Sequence, residues 1–435
     1  MLSFRLVLSV LSIVASTGCR ASGSVASLQH PEAEVVTLSA EQSLLRDAAE
    51  IGRATGEDPS HVRERLDFQV RSGPALAALR RAYAKRLVGV SRVPTDRGYA
   101  LRVLLQGVAP PPEVPKIHEA EGIEVTIEVG ARFTEEQLRD LVASRQRELS
   151  AGAPGFLSAF VEERTGDVIV FIRQIEGRSL LTDQRAIEGI LGAPVKVRPS
   201  TGQFVRSSMA GSGRHVGAGA GRPGCTGGFP ARRGRQRGVL SAGHCENDNV
   251  YYNGVDGFGY RLSVLQESWT ASTDVQFMVG QSLAKQSAAV AVRPEFFEEA
   301  WPNIRVRELV GSVGQSALAE GDQICKYGAA SGYSCGKVVR VSFAPPFPFS
   351  DCNGGPCGET WVLMGPLDVG TPFKCEKGDS GGPWFVGGRA VGITMGAETD
   401  DETGRCFYAV VMSVDRINVV GAELHVAGQE IPMPK

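Results

Sequence analysis

The sequence predicts two unlike halves: an α+β N-terminal half and a mainly β C-terminal half. Between about residues 41 and 199, helix-like and strand-like patterns alternate along the chain. From residue 225 onward helical periodicity almost vanishes, and short apolar runs alternate with Gly, Pro, Asn and Asp. Every cysteine except Cys19 also lies in this second half. The pattern of residues 225–425 therefore predicts an antiparallel barrel or sandwich.

The length and composition indicate a globular protein of more than one domain. The chain has 435 residues, of which 42% are hydrophobic and 22% are charged, and its formal net charge is -2. A chain of this length is expected to form two or three domains. The near-neutral charge gives no electrostatic reason to expect nucleic acid or an anionic membrane as a partner.

An apolar run from Leu6 to Ala15 follows Arg5 near the N-terminus. The run is too short to span a bilayer but is typical of a signal-peptide core, so we expect a signal peptide over residues 1–19 and export. Gly18-Cys19 resembles a bacterial lipobox, in which Cys19 would carry the lipid and anchor the chain to a membrane. Because Ser16 stands where that motif has Leu or Val, secretion without an anchor is the equal alternative.

Residues 20–40 are polar and predict a tether, whereas residues 41–90 carry the apolar stripe of helices. Residues 122–199 predict the element order β-α-β-β-α-β, a split βαβ sandwich. A capping-box sequence at Thr134 marks the start of its first helix. The Gly-rich stretch 200–224 predicts a linker that a protease can cut, with a flexible first strand of the next domain as the alternative. No catalytic constellation precedes it.

The cysteine count favours disulfides over metal binding. Without Cys19 eight cysteines remain, an even number, and all lie in the C-terminal half. In an exported protein this arrangement predicts a disulfide framework. The sequence contains no CxxC pair and no HExxH helix, which disfavours the rival interpretation of a metal site. We therefore expect neither a metal nor a cofactor.

Two short motifs indicate nucleophilic catalysis by a serine. Ser380 lies in the sequence GDSGGP (378–383), and His244 lies in SAGHC (241–245). A serine hydroxyl is a poor nucleophile until a base takes its proton, and His244 is the candidate base. The glycines permit a tight turn, in which the N–H groups of Gly378 and Ser380 are candidates for an oxyanion hole.

A catalytic triad also needs a carboxylate that orients the base. Asp274 is the preferred candidate because it precedes an apolar strand sequence, where it can be buried beside the imidazole. Asp256 is the competitor. Its neighbours Gly254 and Gly257 are typical of a hairpin turn, in which Asp occurs for local reasons.

These motifs are similar to those of chymotrypsin-like serine proteases, and most of all to the bacterial streptogrisins and α-lytic protease. The resemblance covers about residues 215–425 and includes SAGHC, TDVQF (273–277) and GDSGGP. CTGGF (225–229) and the segment 325–336 resemble two disulfide loops of that bacterial branch. The resemblance implies two antiparallel β-barrels, with a triad of His244, Asp274 and Ser380. It also implies that Asp379 holds the oxyanion turn through a buried partner.

The resemblance further implies disulfide pairs: Cys225–Cys245, Cys325–Cys335 and Cys375–Cys406, the last bracing the substrate pocket. Cys352 and Cys357 have no family counterpart, and we expect them to staple a hairpin.

The expected substrate pocket departs from the family pattern. Met395 stands where the family has a Ser that supports the catalytic carboxylate, so either Thr394 serves instead or the support is absent. Ala397, after Gly396, stands where Gly is usual. Phe373 near the pocket base argues against an acidic, trypsin-like base. The acidic run 398–402 is interpreted as a solvated loop rather than a site for basic substrates.

The resemblance implies a secreted serine endopeptidase that acts on proteins or peptides through an acyl-enzyme intermediate. It also implies that residues 41–199 form a pro-region, which assists folding and inhibits the zymogen until it is cut away. One alternative is a catalytically silent binding protein, for which Met395 is the argument. The other is an esterase with a GxSxG elbow, but an elbow requires a helix after Ser380, and residues 381–388 do not predict one.

Overall fold

The computed structural model describes one compact unit within Ala33–Lys435. Several predictions concern residues that the structure does not describe. They are the signal peptide, Cys19, most of the tether, Asp256 and residues 400–402. Among the described helices, none is both long enough and apolar enough to cross a membrane. The described residues are 35–96, 98–109, 122–173, 175, 179–200, 203–205, 214–217, 224–252, 259–282, 292–299, 304–345, 352–353, 355–371, 373–399 and 405–429.

A short strand and two helices begin the N-terminal half. They are β1 (Val36–Leu38), α1 (Ala40–Thr55) and α2 (Pro59–Tyr83). Ser39 forms a capping box at the start of α1, and Asp58 caps α2. The helical prediction for residues 41–90 is confirmed as far as Tyr83.

A hairpin that was not predicted from the sequence follows α2. β2 (Leu87–Thr95) pairs antiparallel with β3 (Gly98–Gln106), and β4 (Val125–Ala131) runs parallel to β3. Buried side chains of β2 and β3 pack against the apolar face of α2. The apolar run from Leu101 to Leu105, interrupted only by Arg102, was the available sequence signal.

The remaining elements of the N-terminal half keep the predicted order but not the predicted sheet. β4 pairs with β3, whereas β5, β6 and β7 form a separate three-stranded sheet, so the single split βαβ sandwich is wrong. The unpredicted β3 offers β4 a partner edge, and periodicity does not specify which edge a strand joins. The predicted first helix is also divided at Arg145. The elements are α3 (Glu135–Ser144), α4 (Gln146–Gly152), β5 (Phe156–Glu162), β6 (Asp167–Arg173), α5 (Leu180–Leu191) and β7 (Val195–Ser200).

The first part of the C-terminal half contributes an antiparallel sheet of seven strands, ordered β24, β10, β11, β14, β13, β12, β9. The hairpin of β15 and β16 follows β14 along the chain and forms a separate three-stranded sheet with β1. The strands are β9 (Arg214–Gly217), β10 (Pro230–Arg233), β11 (Gln236–Ser241), β12 (Asp248–Tyr252), β13 (Gly259–Trp269), β14 (Asp274–Ser282), β15 (Glu295–Glu299), β16 (Arg305–Glu308) and β24 (Glu423–Leu424). The short strand β8 (Gln203–Val205) follows β7 at the end of the N-terminal half and belongs to neither sheet.

The second part closes into a six-stranded barrel, in which β18, β19, β20, β23, β22 and β21 pair in turn and β21 returns to β18. All six pairings are antiparallel, so the mainly β prediction for this half is confirmed. Closure pairs the barrel strands with one another on both sides, except that residues 397–399 of β22 extend past β21 and pair with β8. The strands are β17 (Gly311–Ser312), β18 (Gln323–Gly328), β19 (Gly332–Phe343), β20 (Trp361–Gly365), β21 (Pro383–Val386), β22 (Arg389–Thr399) and β23 (Cys406–Ser413).

The two halves of the chain share one hydrophobic core. Ile51 and Leu66 of the helices, and Phe160 of β5, belong to the same buried cluster as Phe296 and Val341. Two strand pairings also join the halves, because β1 runs parallel to β16 and β8 runs antiparallel to β22. The N-terminal half is therefore docked on the C-terminal half rather than tethered beside it.

Four disulfides lie in the C-terminal half, and they join the same four pairs as the sequence implied. Disulfides persist in oxidising compartments and are rare in the cytosol. Their number indicates a protein that works outside the cytoplasm. The pairs are Cys225–Cys245, Cys325–Cys335, Cys352–Cys357 and Cys375–Cys406.

Candidate active site

His244 lies between Ser380 and Asp274 within hydrogen-bond distance of both. Its Nε2 is 2.9 Å from Ser380 Oγ, and its Nδ1 is 2.7 Å from Asp274 Oδ2. The backbone N–H of His244 donates to the other carboxylate oxygen of Asp274 at 2.9 Å. A carboxylate beside Nδ1 favours the tautomer that carries its proton there, so that the lone pair of Nε2 can accept the serine proton.

The pairing of β11 with β14 brings the base and the carboxylate together. His244 follows the end of β11, Asp274 begins β14, and Ser241 lies opposite Gln276 in the register between them. Gly243 makes the close approach possible, because a Cβ there would lie 2.9 Å from the carbonyl oxygen of Ser268. Burial of Asp274, at 1% exposure, keeps water from competing with the imidazole.

The turn that carries Ser380 is held by hydrogen bonds from Thr226, which precedes β10, and from β22. Thr226 Oγ1 donates to the carbonyl of Gly378 at 2.6 Å, and the N–H of Gly381 donates to the carbonyl of Thr394 at 2.8 Å. Gly381 has φ 82°, and a Cβ there would lie 2.1 Å from the carbonyl oxygen of Thr226. The turn therefore requires glycine for both conformation and space.

Asp379 forms a buried ion pair with Lys326, a residue that was not singled out from the sequence. Lys326 Nζ lies 2.7 Å from Asp379 Oδ2, and both side chains are 1% exposed. Ser331 donates its hydroxyl and its N–H to the same carboxylate, and the N–H of Glu376 does so too. The carboxylate thus connects the turn next to Ser380 to the Cys325–Cys335 loop. The position of Lys326 directly after Cys325 in that loop was the only sequence signal.

The hydroxyl of Thr394 does not contact Asp274 in the way that one alternative from the sequence required. It donates to the carbonyl of Gly382 at 3.3 Å and accepts from Trp384 Nε1 at 3.0 Å. A different contact lies on the far side of the carboxylate residue, where the N–H of Asp274 points at Met412 Sδ at 3.2 Å.

The remaining pocket candidates lie along and beside β22. Met395 and Ala397 are buried at 8% and 2% exposure, and Gly396 lies between them. Ala397 is paired with Val205 of β8. Phe373 is buried with its ring centroid 6.1 Å from that of Trp384, and Gly336 leaves the space that its ring occupies. Phe373, Met395 and Ala397 all belong to the main buried hydrophobic cluster.

A loop closed by the Cys352–Cys357 disulfide supports the turn that precedes Asp274. Asn353 Nδ2 donates to the carbonyl of Trp269 at 3.1 Å, and the N–H of Gly358 donates to the carbonyl of Ala271 at 2.7 Å. Trp361 Nε1 donates to Ala271 as well. The turn 269–272 is thereby fixed by β20 and the segment before it, directly beside the strand that places the carboxylate.

The double variant Cys352→Ser/Cys357→Ser is expected to lose stability more than activity. Opening a loop this short costs about 2 kcal/mol in the chain-entropy model. The triad contacts do not involve the disulfide, so kcat is expected to fall by less than about tenfold, a change of about 1.4 kcal/mol. Denaturant unfolding and steady-state kinetics measure the two effects. A loss of activity as large as that of a triad variant would contradict the supporting role.

The described residues contain one group with potential metal-ligand atoms close together, namely Cys225, His244 and Cys245. The two sulfurs are joined in a disulfide, which removes them as thiolate ligands. His244 alone does not make a metal site.

The chain is similar to chymotrypsin-like serine proteases. No family model matches the chain. Among curated proteins, streptogrisin-C from Streptomyces griseus is 23% identical over 373 residues, which cover 83% of this chain and 70% of that protein. The resemblance to bacterial chymotrypsin-like proteases is therefore confirmed.

Solved structures of bacterial proteases are also similar. Nocardiopsis protease is 18% identical with a TM-score of 0.36, and the match covers 50% of this chain and 98% of that chain. Thermobifida fusca protease A is 21% identical with a TM-score of 0.36, covering 50% and 99%.

Proposed function

We propose that the chain is a serine endopeptidase, made as a zymogen and exported. The observation that carries this proposal is the unbroken hydrogen-bonded sequence from Ser380 Oγ through His244 to the buried carboxylate of Asp274. The three groups have the distances and the burial that nucleophile, base and orienting carboxylate require.

In the proposed reaction Ser380 Oγ attacks the carbonyl carbon of the scissile peptide bond while His244 Nε2 takes the hydroxyl proton. The N–H groups of Gly378 and Ser380 stabilise the resulting oxyanion. His244 then gives the proton to the leaving amine, which departs and leaves an acyl-enzyme. Water, deprotonated by His244, hydrolyses the ester, and Ser380 recovers its proton. Asp274 stays ionised throughout and stabilises the imidazolium.

Residues 41–199 are the proposed pro-region, and buried ion pairs between the halves support this assignment. Arg307 meets Asp47 of α1 at 2.8 Å, and Asp322 meets Arg92 of β2 at 2.6 Å. Asp47 also accepts from the N–H of Gly387. Such buried charges bind tightly only where the partner surface is complementary, so they specify one docking position.

The proposed zymogen is silent because access is blocked. The triad groups already lie within hydrogen-bond distance, and Asp379 already has Lys326, so activation does not need to build the catalytic geometry. Ser380 is fully buried in the full-length chain. β8 occupies the edge of β22, with Val205 opposite Ala397, where an extended substrate would add as a strand.

The direction of β8 supports a cleavage site in the predicted linker. The strand runs antiparallel to β22, from Gln203 opposite Thr399 to Val205 opposite Ala397. Its direction is therefore toward Thr394, which is bonded to the turn after Ser380. We therefore place the first cleavage within residues 206–213. This is the upstream part of the Gly-rich stretch 200–224.

Mass spectrometry of the protein after incubation tests the proposal. The full chain is expected to yield a new N-terminus within residues 206–213 and then to hydrolyse casein and react with a fluorophosphonate. The same spectrum reports whether the signal peptide is removed and whether Cys19 carries lipid. A chain that is cut there by added protease, separated from its N-terminal fragment and still inactive would refute the enzyme assignment.

The geometry supports neither of the two alternative functions, the esterase and the silent binding protein. A GxSxG esterase elbow needs a helix after the nucleophile, but strand β21 begins three residues after Ser380. A silent binding protein is expected to have lost a triad contact, whereas all three groups lie within bonding distance.

A further inference from the structure

Three carboxyl groups surround one fully buried guanidinium where the two halves meet. Arg340 of β19 is 0% exposed, and its Nη1 lies 2.7 Å from Glu320 Oε1. Its Nη2 lies 2.8 Å from Glu135 of α3, and Glu163, in the turn after β5, is 3.9 Å away. Glu135 and Glu163 belong to the proposed pro-region, whereas Glu320 and Arg340 belong to the proposed protease. We call these four residues the glutamate cluster.

Two of the glutamates approach each other directly. The backbone N–H of Glu163 donates to both carboxylate oxygens of Glu320, at 3.2 and 3.1 Å. A second cation reaches the cluster from α2, where Arg80 Nη2 lies 2.8 Å from Glu163 Oε2. Three carboxylates therefore share two guanidiniums, which leaves one negative charge without a cation in a buried place.

Among the described residues, two further arginines lie near the cluster, and neither forms an ion pair with one of its three carboxylates. Arg164 donates from Nη2 to the backbone carbonyl of Glu320, at 3.2 Å, rather than to its carboxylate. Arg139 of α3 lies near Glu135 but is paired at 3.7 Å with Glu359.

Burial raises the pKa of Glu320 from its usual 4.5 to about 7, and repulsion from Glu163 adds to this, against the opposing attraction of Arg340. Burial also raises the pKa of Glu135. When the halves separate, water reaches Glu320, and its pKa returns toward the ordinary value. The docked state thus holds a proton that the separated halves release.

We propose that the glutamate cluster makes docking of the pro-region proton-dependent, so that acid holds the pro-region on the protease and neutral pH favours its release. The inference rests on the proposed zymogen function. It adds a regulation that the catalytic geometry does not contain. The released enzyme would become available where the surroundings are neutral, and acid would keep it silent.

The direction of the pH dependence of docking follows from proton linkage. A group whose pKa is higher in the docked state stabilises docking below its free pKa, and that contribution is lost as the pH rises through the docked value. For Glu320 the window runs from about 4.5 to about 7. Within it the dissociation constant is expected to rise about tenfold per pH unit, and above pH 7 it levels off. Burial raises the pKa of Asp47 and Asp322 at the same interface, which acts in the same direction.

The test uses the full chain with Ser380→Ala, so that no self-digestion occurs, and with a recognition sequence for a specific protease replacing residues 208–213. After the cut, the two fragments remain as the complex. Size-exclusion chromatography across a dilution series then measures the dissociation constant at half-unit steps from pH 5 to pH 8. The dissociation constant of the parent is expected to rise about 40-fold between pH 5 and pH 7, the change that one group with pKa values of 4.5 and about 7 produces.

Glu320→Gln provides the decisive comparison because Gln resembles the protonated acid in shape and charge. This variant is expected to keep its tight binding at pH 7 and to show at least tenfold less change between pH 5 and pH 7. Glu148→Gln removes an exposed carboxylate paired with Arg145 and is the matched control, with the slope of the parent expected. Histidines in general also titrate between pH 5 and pH 7 and can contribute to the pH dependence of the parent. The contribution of Glu320 is therefore taken as the difference in slope between the parent and Glu320→Gln.

A parent whose dissociation constant is flat from pH 5 to pH 7 would overturn the proposal, and so would an unchanged slope in Glu320→Gln. Neither outcome depends on catalysis, because Ser380 is absent from every variant compared. Failure of the proposed function has a different signature, namely that the wild-type chain freed of its N-terminal fragment hydrolyses nothing at any pH.

Discussion

Ser380→Ala is expected to abolish hydrolysis, lowering kcat by roughly 10⁶-fold, the loss seen when a triad serine is removed. The variant has no Oγ to attack the carbonyl carbon, and His244 Nε2 loses the proton that it would accept at 2.9 Å. It is also expected to accumulate at full length, because the cut within residues 206–213 would depend on the same nucleophile. Casein hydrolysis, fluorophosphonate labelling and intact mass measure the three effects.

Ser312→Ala is the matched control for this variant. Ser312 lies exposed on β17 and is outside the triad, so the substitution removes one hydroxyl and leaves the proposed chemistry in place. It is expected to be processed, labelled and active like the wild type. Full activity in Ser380→Ala would refute the assigned nucleophile. Normal processing of an inactive Ser380→Ala chain would show instead that another protease makes the cut.

Lys326→Met is expected to cost about 3–5 kcal/mol of folding stability, because it leaves the carboxylate of Asp379 buried without its cation. Both partners are 1% exposed, so water cannot replace the ammonium group without opening the turn. Because Asp379 lies between the two proposed oxyanion donors, kcat is also expected to fall by about 10²-fold, the cost of one misplaced donor. Denaturant unfolding and steady-state kinetics measure both losses.

A double variant separates loss of the ion pair from loss of packing. Lys326→Met/Asp379→Asn removes both charges, and it is expected to be more stable than Lys326→Met because no unpaired charge remains. Lys326→Arg keeps a cation and is expected to retain most of the activity. If Lys326→Met matched the wild type in stability and kcat, the buried pair would not be what holds the turn.

The candidate catalytic residues could be proposed from the sequence because each role has a characteristic local sequence. His244 is framed by small residues and a cysteine, and Ser380 sits among glycines that the turn requires at Gly381, with φ 82°. Asp274 was preferred over Asp256 because an apolar strand follows it, and it does begin β14. Catalytic motifs of this kind consist of a few consecutive residues, so a single sequence is enough to indicate them.

The supporting contacts were harder to predict because they join distant segments. Lys326 is 53 positions from Asp379, and the partner of the turn 269–272 is a loop some 84 residues further on. The hydroxyl of Thr394 was a plausible support for Asp274, but its bonds go to Gly382 and Trp384. A side chain with several partners in reach is assigned only by the packing around it.

The sequence by itself determined the mainly β character of the C-terminal half, the candidate triad and the resemblance to bacterial serine proteases. These follow from periodicity, turn residues and short motifs, all of which are local. Only the tertiary structure decided that β4 joins β3, that β8 lies along β22, and that Glu320 and Glu163 meet around Arg340. Which edge a strand pairs with, and which buried charges form ion pairs, depends on shape complementarity and desolvation across the whole fold. A local sequence pattern does not specify these partners.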